Sequence, residues 1–71
     1  MKKCHVVYNP YNEKYSVVDI NEDCFACAQG QGNTPEEAIA SAKSRHQWCH
    51  NYLVRHGVRN EEDFEELVIM N

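Results

Sequence analysis

The sharpest chemical pattern in this chain is Cys24-x-x-Cys27, followed after eighteen residues by His46-x-x-x-His50. Two thiols followed by two imidazoles is the ligand order of a zinc finger, in which four such donors close a tetrahedron around the ion. The interval is longer than the usual stretch of about twelve to fifteen residues. Cys24 and Cys27 also fall in a strand-like run, CFACAQ, where residues three apart face opposite sides. Only a tight turn through Phe25-Ala26 would bring both thiols to one ion. His46 lies on the apolar stripe of a predicted helix, so packing explains it without a metal. The expectation is no metal and no cofactor, with Cys24, Cys27, His46 and His50 as the ligand set of a zinc-stabilised module if one is held.

Nucleophilic chemistry has two candidate pairs: Cys49 near His46 or His50 on the helix, and Cys4 beside His5. Adjacent strand residues point apart, and a core-facing thiol is inert. No glycine-flanked nucleophile turn accompanies either pair. Gly30-Gln31-Gly32 precedes the helix and could offer backbone amides to an anion, but it contains no Lys or Arg, and turning the chain is reason enough for its glycines. The chain is therefore not expected to be an enzyme.

What remains is contact chemistry. Trp48 and Tyr52 stand one helical turn apart, either as an aromatic contact patch or as packing at the edge of a sheet. The run Glu61, Glu62, Asp63, Phe64, Glu65, Glu66 places an aromatic ring among five carboxylates, either as a solvated surface or as a docking element. Eleven acidic residues against seven basic ones give a net charge of −4. Such a balance disfavours direct binding to a phosphate backbone and suits a basic protein partner.

The elements that must position these groups follow from propensity and period. Cys4–Tyr8 reads as a first strand ending at the turn Asn9-Pro10-Tyr11-Asn12. Tyr15–Ile20 reads as a second, closed by Asn21-Glu22-Asp23, and Cys24–Gln29 as a third. After the glycine loop, Thr34 can cap a helix, Pro35 suits its first position and Glu37 completes a capping box. Ile39, Ala42, His46, Cys49 and Leu53 then mark one helical face, and Gly57 offers a left-handed stop. Leu67–Met70 reads as a short edge strand after a helical turn at Asn60. The fold class is α+β, a three-stranded antiparallel meander followed by one long helix and a short C-terminal strand (β-β-β-α-β), in one domain spanning residues 1–71. One helix covers one face of such a sheet, while both faces carry apolar groups. An uncovered apolar face and homo-oligomerisation are therefore expected.

The chain begins MKKCHVVY, with no apolar signal stretch before its first strand-like run, and no segment approaches the length of a membrane span. A cytoplasmic protein with reduced thiols is expected.

The stretches Tyr15-Ser16-Val17-Val18, Cys24 to Gly30, and Asn33-Thr34-Pro35-Glu36-Glu37-Ala38-Ile39 with Ala42-Lys43 resemble the small domain of HicB-like antitoxins, which has a partial ribonuclease H-like fold. The resemblance covers residues 5–54. It departs from that family where Asp23 replaces the glycine before the strand cysteine, where Gly30-Gln31-Gly32 lengthens the loop, and where no DNA-binding segment follows. It implies a non-catalytic binder that masks a small RNA-cleaving toxin, commonly as an oligomer; together with the acidic charge balance, the expected function is an inhibitor that masks a basic RNA- or DNA-handling protein. The contact set would be Trp48, Tyr52 and Glu61 to Glu66, with no direct nucleic acid and no membrane. A phage or mobile-element inhibitor of a host defence complex, of the anti-CRISPR kind, keeps the fold and changes the biology.

Overall fold

The computed structural model describes residues 1–22 and 27–71. Cys24, and with it the first part of the expected third strand, lies outside the described residues.

The chain starts with β1 (Lys2–Asn9) and β2 (Lys14–Asp19), an antiparallel pair in which Val6 opposes Val17 and Tyr8 opposes Tyr15. Polar side chains close both of its ends. Asn9 Oδ1 accepts from Tyr11 N at 2.9 Å, and Asn12 Oδ1 accepts from Lys14 N at 3.1 Å. Between them Glu13 takes the left-handed region at φ 56°. Asp19 Oδ1 then accepts from Asn21 N at 2.8 Å, which ends β2 in an Asx turn.

β3 is Gly30–Gly32, and residues 27–29, the described part of the expected strand Cys24–Gln29, are not strand. Residues 27–29 lead into it, with Gln29 N bonded to Val17 O at 2.7 Å. The reason is steric and lies in the helix. A Cβ on Gly30 would stand 2.4 Å from Ala42 N, and one on Gly32 would stand 2.6 Å from Ala38 N. Only residues without a side chain let strand backbone lie against helix backbone in this way.

α1 (Pro35–Arg55) starts as its sequence dictates. Thr34 Oγ1 accepts from Glu37 N at 3.1 Å, and Glu37 Oε2 accepts from Asn33 N at 2.8 Å. It ends in a Schellman arrangement, in which Gly57 N bonds Val54 O and Val58 N bonds Leu53 O, with Gly57 at φ 71°. A 3₁₀ turn at Glu61–Asp63 leads to β4 (Leu67–Ile69), which pairs parallel with β1, Lys2 opposite Leu67 and Cys4 opposite Ile69. Among the described residues the strands form one four-stranded sheet in the order β3-β2-β1-β4. The α+β class and the β-β-β-α-β order are as expected.

The core lies between α1 and one sheet face, where Cys4, Val17, Ala38, Ala42 and Leu67 are buried, with Val6, Tyr15, Ile39 and Ile69 around them. Two expectations about faces are corrected. On α1 the buried row is Ala38, Ala42 and His50, while Cys49 is exposed. On the far sheet face, Ser16, Val18 and Asn9 are buried, so that face is not left bare. The molecule measures 39 × 19 × 18 Å, a long axis close to the roughly 31 Å that a 21-residue helix spans.

Candidate functional site

The second half of α1 carries the residues singled out for contact, and it carries them on two sides. On one side, His46 and His50 are one turn apart and both address the acidic segment. His50 Nε2 donates to Glu61 O at 3.2 Å, and His46 Nε2 donates to Glu65 O. A carbonyl can only accept, so both imidazoles carry their proton on Nε2. Phe64 sits between them, its ring 5.3 Å from His46 and 5.0 Å from His50. Asp63 Oδ2 accepts from Asn60 N at 3.3 Å and fixes the start of the turn. The acidic segment is thus held at both ends and in the middle.

Its carboxylates point outward. Glu61, Glu62, Asp63, Glu65 and Glu66 are all exposed, and Phe64 keeps 40% of its surface. Beside them a cleft of about 220 Å³ opens between α1 and β4, lined by Lys43, His46, Gln47, Phe64, Glu66 and Leu67.

Trp48 and Tyr52 lie elsewhere. At about 100° per residue, Trp48 is roughly 160° around the helix from both His46 and His50. Its ring stacks on Tyr52 at 5.4 Å with 20° between planes, and Tyr52 meets His56 at 4.3 Å. Trp48 is 65% exposed. The eight expected contact residues therefore form two surfaces, with Phe64 and the carboxylates on one and the indole and phenol rings on the other.

Among the described residues the candidate cysteines and histidines are not assembled in one place, and Cys24 lies outside them. Cys4 is in the core, and burial pushes its thiol above the ordinary range, with Lys2 opposing and Asp19 adding to the shift. Neighbouring His5 points to the other sheet face, where its Nε2 and the Oγ of Ser16 are buried without a hydrogen-bond partner. Cys49 and Cys27 are exposed. The Nε2 atoms of His46 and His50 are bonded to carbonyls, and His50 Nδ1 is buried without a partner. Among the described residues no group of three or more His, Cys, Asp or Glu side chains converges as metal ligands would. Gly30 and Gly32 serve helix packing, and Thr34 and Glu37 already take the amides at the helix start.

Sequence reasoning missed the role of His50, which organises the acidic segment from a buried position. Its spacing of four from His46 and eight from Ala42 was the available signal. No helix among the described residues is long and apolar enough to cross a membrane. No protein-family model, no curated protein and no solved structure matches the chain.

Proposed function

We propose that the chain is a non-catalytic binding protein, antitoxin-like in role, whose segment Glu61 to Glu66 masks the functional surface of a basic RNA- or DNA-handling protein. One observation carries this reading. Five carboxylates stand within six residues on a segment fixed by His46, His50 and Phe64, and among the described residues only Glu65 of the five joins an ion pair, with the N-terminal amine at 3.6 Å. An ordered array of unpaired like charges is costly to hold together and becomes favourable against a cationic surface. The carboxylates speed encounter, and the half-exposed ring of Phe64, beside the cleft under Glu66, supplies the desolvated anchor that holds the complex.

The test is capture of partners from the native host on immobilised wild-type protein and on the Glu62→Lys and Glu65→Lys variants across a salt gradient. The expected result is a basic nucleic-acid-handling protein that wild type retains at low salt and the reversed variants release. Capture of a partner that is neither basic nor nucleic-acid-handling, or equal retention by the reversed variants at low salt, overturns the reading.

A further inference from the structure

The net charge of −4 averages over a strong local segregation. Between Glu37 and Glu61 the chain contains no Asp or Glu, yet that interval holds Lys43, Arg45, Arg55 and Arg59, four of the seven Lys and Arg residues. None of the four takes part in an ion pair among the described residues, where the pairs are Met1 with Glu65 and Lys2 with Asp19. Two of them bracket the aromatic stack. At about 100° per residue, Arg45, Trp48, Tyr52, Arg55 and His56 fall within one stripe about 100° wide on α1 and at its end, and all five are exposed. Arg45 and Arg55 are separated by about 15 Å along the axis, with the indole and phenol rings between them. The stripe faces away from the carboxylates of Glu61 to Glu66, so their field does not neutralise it at close range.

We propose that this stripe of α1 is a binding surface for single-stranded nucleic acid, with a base stacked on the outer face of Trp48 and phosphates held by Arg45 and Arg55. The stack is preformed. Trp48 already lies nearly parallel to Tyr52, and Tyr52 in turn meets His56, so the rings present an ordered platform rather than loose side chains. Planar rings between guanidinium groups are the recurrent means of holding an unpaired strand, because every base offers a π-face and every nucleotide a phosphate. The other anionic occupant present in solution is the acidic segment of a second copy. It fits poorly, because cationic and acidic faces lie on opposite sides of one helix. A copy docked there leaves its own cationic face and the acidic face of the first copy open, so the contact propagates instead of closing into a dimer.

Trp48 is the sole tryptophan, so its fluorescence reports the site directly. The experiment titrates purified full-length protein with oligo(U) and with oligo(dT) of about twelve nucleotides at low salt, beside poly-glutamate and buffer dilution as controls. Quenching by at least one oligonucleotide is expected, with an affinity that falls as salt rises and without a matching response to poly-glutamate or to protein concentration. The double variant Arg45→Glu/Arg55→Glu should bind at least about tenfold more weakly with a shallower salt dependence. Tyr52→Ala should weaken binding by about tenfold while leaving the salt slope unchanged. Circular dichroism establishes that both variants keep the helix, whose exposed face alone they change. Absence of quenching by either oligonucleotide overturns the proposal. Equal quenching by poly-glutamate, quenching that follows protein concentration, or an unchanged affinity in the charge-reversed variant does so too. None of these readouts involves Glu61 to Glu66, so the masking role stands or falls separately.

Discussion

The two halves of α1 are built to opposite rules. In the first half, Ala38 and Ala42 lie fully buried against Gly30 and Gly32, so close that neither glycine has room for another carbon. In the second half, large side chains stand exposed on one side, with Trp48 65% and Tyr52 44% exposed, while on the other side His46 and His50 meet Phe64 of the segment that follows the helix. Small residues make a rigid joint because backbone packed on backbone cannot relax. Large residues left in water do nothing for the fold, and they are the ones available to a partner. One helix thus divides its length between scaffold and surface.

Adding side chains at the joint is the strongest way to break this contrast. The Cβ of Gly30→Val would meet the backbone of Ala42 at 2.4 Å from N and 2.7 Å from Cα, neither of which can swing aside. We expect a loss of about 3 kcal/mol or more, against less than about 0.5 kcal/mol for Trp48→Ala, as read from urea unfolding midpoints. Similar midpoints for the two variants would dissolve the distinction between the halves.

A smaller effect sharpens the description of the second half. Phe64→Ala removes a ring wedged between His46 and His50 and should cost about 1 kcal/mol, since the ring is only partly buried. Its more telling signature is local. Amide exchange should accelerate across residues 60–66 while β1 and β2 keep their protection. Uniform acceleration over the whole chain would mean that the acidic segment is integral to the core rather than attached to the helix.

The helix start, the helix stop and the last strand were legible in the sequence because each is set by local chemistry. Thr34, Pro35 and Glu37 act within one turn, Gly57 acts through its own φ, and Leu67 to Met70 form an apolar run, with β-branched Val68 and Ile69, between Glu66 and Asn71. β3 was not legible, because Gly30 and Gly32 have no strand propensity and are in the sheet only because the helix demands closeness there. The buried face of α1 was misplaced in its second half for a related reason. What covers His50 rather than Cys49 is Phe64, fourteen residues further on, and helical periodicity says nothing about which side a returning chain will take. That same return separates the carboxylates from Trp48. The sequence offered both as one contact set.

The smallest expected effect lies outside α1 altogether and serves as its reference. Asp19 ends β2, and its carboxyl is held below the ordinary range, first by the backbone N–H of Asn21 and also by Lys2 at 3.6 Å, with partial burial acting against them. The unfolded chain takes up that proton more readily than the folded one. The contribution to stability is therefore complete above about pH 4 and is lost as pH falls through the folded value. Unfolding midpoints measured between pH 6 and pH 2 (roughly, the carboxylate range) should fall less steeply for Asp19→Asn than for wild type. High salt should shrink the difference, because the pair is solvent-accessible. Parallel curves for the two proteins would show that the hairpin end contributes nothing to the acid limb.

The pairing of the first strand with the last sets an order in time. β4 docks beside β1, Met70 N bonds Cys4 O, and the side-chain amide of Asn71 takes both the N–H and the C=O of Val6, a contact between residues 65 positions apart. The hairpin and α1 form from contacts close in sequence, whereas β4 must close a loop of about 65 residues before it docks. The acidic segment cannot yet be held between helix and sheet at that stage, because its far end has no strand to anchor it. A folding chain therefore displays the aromatic stripe of α1 before it displays an ordered row of carboxylates, and the two surfaces of the finished protein come into being one after the other.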